Sequence, residues 1–172
     1  MRKLIFIAAA ALLIAAVGCS SSAPPPPPSG PPVARTRTPT PVPANDEEAV
    51  RQLIVAEGEA VVQQDIDRLQ AMWAPDGVVT DANHTPDNPS DDKTWKGWAA
   101  IRDRYVNIVF PSNPSYAEHP NIRVTINGDT ATAIADTKIG ITNLKDNDKW
   151  TLRKIDGQWK LTSLTFSLSP QQ

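Results

Sequence analysis

The chain has 172 residues, and its 17 basic and 19 acidic side chains give a formal net charge of −2. This balance excludes the strongly basic surface that nucleic-acid binding requires. The only cysteine, Cys19, cannot form an intramolecular disulfide, and one thiol is too few for a zinc–thiolate site or an iron–sulfur cluster. We therefore expect a domain that is stabilised by its core, with no nucleic-acid partner, no metal and no cofactor.

Residues 1–18 have the pattern of a signal peptide. Arg2 and Lys3 precede an apolar run over 4–17 that is too short for a stable membrane span. The run ends in AVGC, which resembles the lipobox of bacterial lipoproteins. The resemblance implies cleavage before Cys19 and lipidation of that residue, which would anchor the protein on the extracytoplasmic side of a bacterial envelope membrane. An ordinary secretory signal with a chance cysteine is the alternative.

Residues 19–44 are predicted to be a proline-rich tether. Ten of the 17 prolines lie within residues 20–44, and the stretch has no apolar periodicity that could build a core. Such sequences favour an extended, semi-rigid conformation. The remaining residues, 45–172, have a normal length for one domain with one core.

The first helix of this domain is predicted to begin at Asn45, because Asn45 and Glu48 have capping-box spacing. Its apolar face contains Ala49, Val50, Leu53, Ile54, Ala56, Ala60 and Val61. Glu57 lies near the middle of that face. A carboxylate in this position is costly to bury unless it is paired, hydrogen-bonded, protonated or in contact with a wet cavity, so Glu57 is a candidate site residue.

Two further helices and a short strand follow. Asp65 begins the second helix, and Pro75 is predicted to end it. Its inner face is formed by Ile66, Leu69, Met72 and Trp73. GVVTDA then predicts a strand that includes Asp81. The third helix covers 97–110 and stops at Pro111, and its inner face is formed by Trp98, Ile101, Tyr105 and Ile108.

Antiparallel strands are predicted for the rest of the domain. NIRVTI (121–126) alternates apolar and polar residues, and the turn signal NGD leads into a strand over 130–142. KWTLRKI and QWKLTSLTFSL form a hairpin around Asp156 and Gly157. Along the last strand the apolar residues change from odd-numbered to even-numbered positions, which predicts a bulge near Thr162 or Ser163. The order of elements predicts an α+β fold in which a curved antiparallel sheet packs on three helices.

Four phrases resemble the nuclear transport factor 2-like superfamily, especially its SnoaL-like branch: DIDRLQAMWAPDGVVTD, WKGWAAIRDRY, INGDTATAIA and WTLRKIDGQWKL. The resemblance covers residues 46–168. It implies a cone-shaped fold with a pocket between the long helix and the concave face of the sheet, and often a homodimer through that sheet. The family includes isomerases, dehydratases, cyclases and members without any chemistry, so the fold alone does not imply a reaction.

The resemblance also assigns expectations to single positions. Asp81 falls where ketosteroid isomerase has its general base, and Glu57 falls where that enzyme has a helix tyrosine that stabilises the oxyanion. The second oxyanion donor would fall near Lys149 or Trp150, and neither can replace it. Steroid isomerisation is therefore not expected, because the enolate would lack its donors.

Asp81, Glu57 and Tyr105 are the catalytic candidates. Two carboxylates in one low-dielectric cavity would have divergent pKa values, which is how a site obtains both an acid and a base. The alternative is that Glu57 pairs with a basic residue of the sheet and that Asp81 caps the turn into the next loop. Tyr105 could equally be a core aromatic residue whose hydroxyl bonds to backbone.

Trp73, Trp95, Tyr105 and His119 are the ligand-binding candidates. For Trp73 the alternative is a core position, and for His119 it is a surface position beside a proline. The loop DANHTPDNPSDDKTWKGW lacks calcium-loop spacing, and one histidine among scattered aspartates is a weak metal signal. We interpret this loop as a lid that brings Trp95 towards a ligand.

The leading functional hypothesis is a membrane-tethered extracytoplasmic domain that binds a small, largely apolar molecule in the cone. One alternative is a metal-free enzyme of the isomerase, dehydratase or cyclase type that uses Asp81 as its general base. The other is a non-catalytic dimerisation or interaction module at the cell surface.

Overall fold

The structure is a computed structural model that describes residues 42–170. The predicted signal peptide (1–18), the lipidation site Cys19 and nearly all of the tether lie outside the described residues. Within the described range, no helix has both the length and the apolar character needed to cross a bilayer.

The described residues form three α-helices and seven strands. The helices are α1 (Asp46–Gln63), α2 (Ile66–Met72) and α3 (Gly97–Arg104), and α3 continues as a π-helical turn (Tyr105–Val109) and a 3-10 turn (Phe110–Ser112). The strands are β1 (Trp73–Asp81), β2 (Lys93–Lys96), β3 (Ala117–Glu118), β4 (Arg123–Asn127), β5 (Thr130–Ile139), β6 (Thr142–Ile155) and β7 (Gln158–Phe166).

Local signals determine where α1 starts and how it is fixed to the sheet. The Asn45 side chain accepts a hydrogen bond from the Glu48 backbone N–H at 2.9 Å, as the capping prediction requires. Asp46 accepts hydrogen bonds from Lys154 Nζ at 2.8 Å and from Trp159 Nε1 at 3.0 Å, which holds the helix start on the β6–β7 hairpin. These contacts place the inner face of α1 against the sheet.

The sheet has the strand order β2-β1-β7-β6-β5-β3, and β4 also pairs with β5. Its pairings are antiparallel except for β1 with β7, which run parallel, so the predicted α+β fold with three helices on an antiparallel-rich sheet is confirmed. Register-paired residues form one inward-facing row across the sheet: Trp95, Val79, Leu164, Trp150, Ala133 and Val124.

The core lies between this inner face and the helices. Its largest fully buried side chains are Trp150, Tyr105, Ile54, Leu69, Ile101, Leu152, Leu161, Val50 and Val79. The inward positions of β5 are small, at Ala131, Ala133 and Ala135, which leaves room for the bulkier residues opposite.

The predicted bulge is confirmed. Leu152 pairs with Leu161, whereas the preceding residue Thr151 pairs with Ser163, so Thr162 is the extra residue in β7. The Thr151 hydroxyl lies 2.9 Å from the Thr162 hydroxyl and 2.7 Å from that of Ser163. The bulge therefore explains why the apolar parity of the last strand changes.

Two helix predictions were wrong at their C-terminal ends. Helix α2 ends at Met72 rather than near Pro75, and Trp73 belongs to β1, where it pairs with Leu161. In the third helix, Ile108 is 49% exposed instead of inward. The π-helical turn explains this, because its extra residue rotates the following side chains, so that Phe110 packs against the core instead.

Candidate functional site

Glu57 is carried into the interior by α1. Its neighbour Gly58 allows α1 to approach β3 closely, because a Cβ at that position would lie 2.3 Å from the Ala117 carbonyl oxygen. Glu57 is only 4% exposed, so the carboxylate that the sequence places in an apolar face is buried there. Its partners are side chains from other elements.

Tyr105 is the first partner of Glu57. Its hydroxyl donates a hydrogen bond to Glu57 Oε1 at 2.6 Å and accepts one from Trp73 Nε1 at 3.2 Å. Burial and the adjacent Glu57 carboxylate raise the pKa of Tyr105 well above its ordinary value of 10. Tyr105 is therefore a neutral donor, and its hydroxyl bonds to a carboxylate rather than to backbone.

His119 is the second partner, and it lies between two carboxylates. Its Nε2 is 3.8 Å from Glu57 Oε2, and its Nδ1 is 3.2 Å from Asp148 Oδ2 on β6. The Nδ1–H of His119 is not directed at Asp148 Oδ2, so this contact is an ion pair without an aligned hydrogen bond. The surface alternative for His119 is wrong, because the residue is 8% exposed.

Asp148 is fixed from its own strand. Asn147 Nδ2 donates to Asp148 Oδ1 at 3.1 Å and to Thr137 Oγ1 at 3.0 Å. Asp148 is two residues from Trp150 and so lies on the same, inward face of the sheet. The sequence prediction placed the second polar position of the pocket near Lys149 or Trp150 and missed Asp148.

The charge state of His119 follows from these neighbours. Burial is the largest single influence and acts to lower the pKa of His119. The Asp148 and Glu57 carboxylates together outweigh burial and raise the pKa from 6.5 to about 9. At neutral pH the site therefore holds an imidazolium between two acidic groups, with a neutral tyrosine on Glu57.

Among residues 42–170, the buried donors Trp150 Nε1 and Arg104 Nε have no protein acceptor, whereas His119 Nδ1 has the unaligned contact with Asp148. The rings of His119 and Trp150 meet edge to face, with their centroids 4.7 Å apart. Native structures leave few buried donors unsatisfied, and each costs about 1–3 kcal/mol. A site with such donors is suited to a ligand that brings acceptors.

Asp81 is not joined to this network. It lies at the end of β1, and its side chain accepts a hydrogen bond from the Asn83 backbone N–H at 3.0 Å, which caps the turn as the alternative expects. Among residues 42–170, no hydrogen bond or ion pair connects Asp81 with Glu57. A catalytic role for Asp81 stays a prediction.

Trp73 and Trp95 occupy different parts of the structure. Trp73 is 4% exposed and belongs to the core, where it orients the Tyr105 hydroxyl. Trp95 is half-buried on β2, and its ring centroid lies 5.1 Å from Lys93 Nζ and 5.2 Å from Arg104 Cζ. Strand β2 was not predicted, because its four residues lie in a stretch dominated by turn-forming residues.

Neither of two surface grooves includes the buried network. One lies beside the start of α1 and is lined in part by Leu53, Ala56 and Trp159. The other lies on the outer face of the sheet and is lined mostly by polar residues, among them Thr125, Thr132 and Thr151. Within the described range, no group of three or more histidine, cysteine or acidic side chains has an arrangement that could hold a metal ion.

Comparison with solved structures identifies the architecture. A nuclear transport factor 2-like protein with a cystatin-like fold from Novosphingobium aromaticivorans is 23% identical, covers 70% of this chain and 79% of its own, and superposes with a TM-score of 0.56. A protein of unknown function from Nostoc punctiforme is 17% identical, covers 74% of this chain and 93% of its own, and has a TM-score of 0.57. A nuclear transport factor 2-like protein of unknown function from Pseudomonas putida is 23% identical, covers 70% of this chain and 84% of its own, and has a TM-score of 0.54.

These likenesses establish the cone-shaped nuclear transport factor 2-like fold, and at this level of identity they establish the fold alone. No curated protein matches the chain. The family model of the SnoaL-like domain matches residues 43–165, which includes every element from α1 to β6 and nearly all of β7. The chain therefore belongs to the SnoaL-like domain family, within the nuclear transport factor 2-like superfamily.

Proposed function

We propose that this protein is a membrane-tethered extracytoplasmic SnoaL-like domain that binds a small, largely apolar molecule inside the cone. The ligand's polar end would contact Tyr105, Glu57 and His119. The observation that carries this proposal is the buried donor Trp150 Nε1, which has no acceptor among the described residues and whose ring meets the His119 ring edge to face. A ligand oxygen that accepts from Trp150 Nε1 would remove the desolvation penalty of that donor.

The surroundings of Trp150 favour an apolar ligand body. Trp150 belongs to the inward row of the sheet, whose other members are Trp95, Val79, Leu164, Ala133 and Val124. Ligand sites are mostly apolar and contain a few convergent polar groups, and this face has that composition. The tethered, extracytoplasmic part of the proposal rests on residues 1–44, through the signal peptide, Cys19 and the proline-rich stretch.

Native mass spectrometry of the protein purified from its own host tests the binding proposal. We expect a fraction of the molecules to carry a bound small molecule. Trp150→Phe keeps an aromatic ring but removes the indole donor, so the bound fraction should fall, with an affinity loss of about tenfold. Trp159→Phe is the matched control, because Trp159 Nε1 donates to Asp46 at the surface end of α1.

Two results would count against binding in the cone. One is a host-purified protein without any bound molecule, and the other is equal loss of ligand from both tryptophan variants. Thermal unfolding of each variant shows whether a loss of ligand simply follows a loss of fold.

A second candidate function is metal-free proton transfer, of the lyase or isomerase type. It is favoured by the pairing of an imidazolium whose pKa is about 9 with a carboxylate that also accepts the Tyr105 hydroxyl. His119 would act as the general acid and Glu57 as the base, with Asp81 as the alternative base.

Deuterium incorporation tests this second function. The host-derived ligand is incubated with the protein in D₂O and analysed by mass spectrometry for exchange at carbon. If Glu57 is the base, Glu57→Gln abolishes exchange and Asp81→Asn leaves it intact, and the reverse pattern identifies Asp81. A ligand that binds but never exchanges contradicts the enzyme reading and leaves the binding proposal in place.

A further inference from the structure

Arg104, the last residue of α3, has its guanidinium surrounded by aromatic rings from three elements. Its Cζ atom lies 4.6 Å from the ring centroid of Phe166, 5.2 Å from that of Trp95 and 5.8 Å from that of Tyr105. Each distance is within the range of a cation–π interaction. An aromatic ring is not a hydrogen-bond acceptor for the whole guanidinium fork, so these contacts leave N–H donors of Arg104 available for an anion.

Among the arginines of residues 42–170, Arg104 is the one without an acidic partner. Among residues 42–170, every other arginine forms an ion pair with a carboxylate: Arg51 with Glu47, Arg68 with Glu59, Arg102 with Asp103, Arg123 with Asp146 and Arg153 with Asp76. Arg104 forms no hydrogen bond or ion pair within the described range, although its Nε is buried. A half-buried cation with a buried, unused donor is costly unless an anion binds to it.

The guanidinium also lies beside the proposed ligand site. Tyr105 follows Arg104 in the chain, and its hydroxyl donates to Glu57. Trp95 belongs to the inward row of the sheet, and Phe166 is two residues beyond Leu164 of the same row. Arg104 therefore lies at the Trp95 end of the inward row, and its chain neighbour Tyr105 belongs to the buried polar network.

We propose that Arg104 binds the carboxylate of an apolar monocarboxylate ligand, which makes the ligand of the cone an aromatic or alkyl acid. This inference rests on the proposed function and adds the ligand class to it. A carboxylate matches the fork formed by Nε–H and a terminal N–H of a guanidinium, so the buried Nε donor would gain its acceptor. Lys93, whose Nζ lies over the Trp95 ring, adds a second positive charge at the same end.

Matched acid and alcohol probes test this proposal by isothermal titration calorimetry. The pairs are benzoate with benzyl alcohol, 2-naphthoate with 2-naphthylmethanol, and decanoate with decanol. We expect at least one acid to bind more tightly than its alcohol. Arg104→Gln should weaken that acid at least tenfold and leave the alcohol within about twofold, and Arg104→Lys should restore only part of the affinity because it lacks the planar fork.

Arg102→Gln is the matched control, since Arg102 is exposed on the same helix and pairs only with its neighbour Asp103 at 3.6 Å. It should leave every affinity unchanged. Thermal unfolding monitors the fold of each variant, and the alcohol reports whether binding of the apolar body is intact.

The outcomes separate the two proposals. If an alcohol binds as tightly as its acid, or if Arg104→Gln weakens both equally, the carboxylate assignment fails and the binding proposal remains. If no acid and no alcohol binds the natural protein, the cone holds no ligand of this kind and both proposals fail.

Discussion

His119 is the side chain on which the buried polar network depends. Glu57 approaches its ring from α1 and Asp148 approaches it from β6, and the three residues are 8%, 4% and 2% exposed, respectively. Isolated charges with so little exposure would be strongly disfavoured. The three groups are therefore stable in the interior only as a set, whether their purpose is ligand binding or catalysis.

We expect the stability of the domain to fall as the pH rises from 6.5 to about 9. The pKa of His119 is raised from 6.5 to about 9, so its stabilisation is complete below 6.5 and is lost as pH rises through the folded-state value. The loss should be on the order of 3 kcal/mol. Urea unfolding at pH 6, 7.5 and 9.5 measures it, and His119→Gln should have a flatter profile. If the unfolding free energy depended on pH in the same way in both proteins, the raised pKa of His119 would not be the cause.

Removing one carboxylate from the network should be much more damaging than removing one at the surface. Asp148→Asn leaves a buried imidazolium with one partner, and we expect a loss of about 3–5 kcal/mol in unfolding free energy. Asp146→Asn is the control on the same strand, because Asp146 is exposed and pairs with Arg123; it should cost about 1 kcal/mol or less. Equal effects of the two substitutions would mean that the buried pair is not stabilising.

At the scale of secondary structure elements, close packing of α1 on β3 positions the site. Gly58 permits this approach because it has no side chain to meet the Ala117 carbonyl. Glu57 directly precedes Gly58 on α1, and His119 directly follows β3, so the close packing brings the two side chains together. The π-helical turn after α3 has a similar effect, because it brings Tyr105 and Phe110 inward and turns Ile108 outward. Irregular positions in these elements therefore coincide with the polar network.

Gly58→Ala should destabilise the domain although alanine is the better helix former. The new Cβ would lie 2.3 Å from the Ala117 carbonyl oxygen, so α1 or β3 must shift. We expect a net loss of about 1–3 kcal/mol, measured by chemical unfolding. Val55→Ala, at an exposed position of the same helix, should change stability by less than about 1 kcal/mol. A stabilised Gly58→Ala protein would show that the two backbones can separate freely.

At the scale of the whole molecule, the inner face of the sheet is apolar and its outer face is polar. The outer face contains Thr125, Thr132, Thr151 and Arg153 around a shallow groove. A homodimer through this face stays a prediction, and its interface would consist mainly of hydroxyl and charged groups. Such an interface would resemble a reversible association more than an obligate one.

Sedimentation velocity tests the dimer. We expect a concentration-dependent dimer that Thr132→Arg, in the middle of the outer face, converts to a monomer by introducing like charges. Asp87→Arg, in the exposed loop before β2, should leave the association unchanged. A monomer at all concentrations up to about 100 μM would contradict association through the sheet and weaken the interaction-module alternative.

Membrane attachment is predicted to require Cys19 alone. The natural protein should fractionate with membranes of its host, and the mass of its mature N-terminal peptide should include acyl chains on Cys19. Cys19→Ala should block lipidation and either release the protein or leave its signal peptide uncleaved. Recovery of the natural protein in the soluble fraction, with an unmodified Cys19, would refute the anchor.

Local chemistry made much of the fold predictable. The Asn45 cap, the NGD and Asp–Gly turns and the bulge at Thr162 each depend on a few neighbouring residues, and each is present in the structure. Glu57 was recognisable for the same reason, because a carboxylate in the middle of an apolar helix face conflicts with its surroundings.

The partners of Glu57 were decided by tertiary structure. Asp148 was missed because a shift of one residue along a strand reverses the face on which a side chain lies, and the register of β6 depends on its pairing with distant strands. The contacts of His119 with Asp148 and of Arg104 with Phe166 likewise join residues that are far apart in sequence, so local patterns could not reveal them. The sequence by itself determined most of the elements and one anomalous carboxylate. The packing of the elements determined the site, because side-chain contacts between elements depend on register and helix phase.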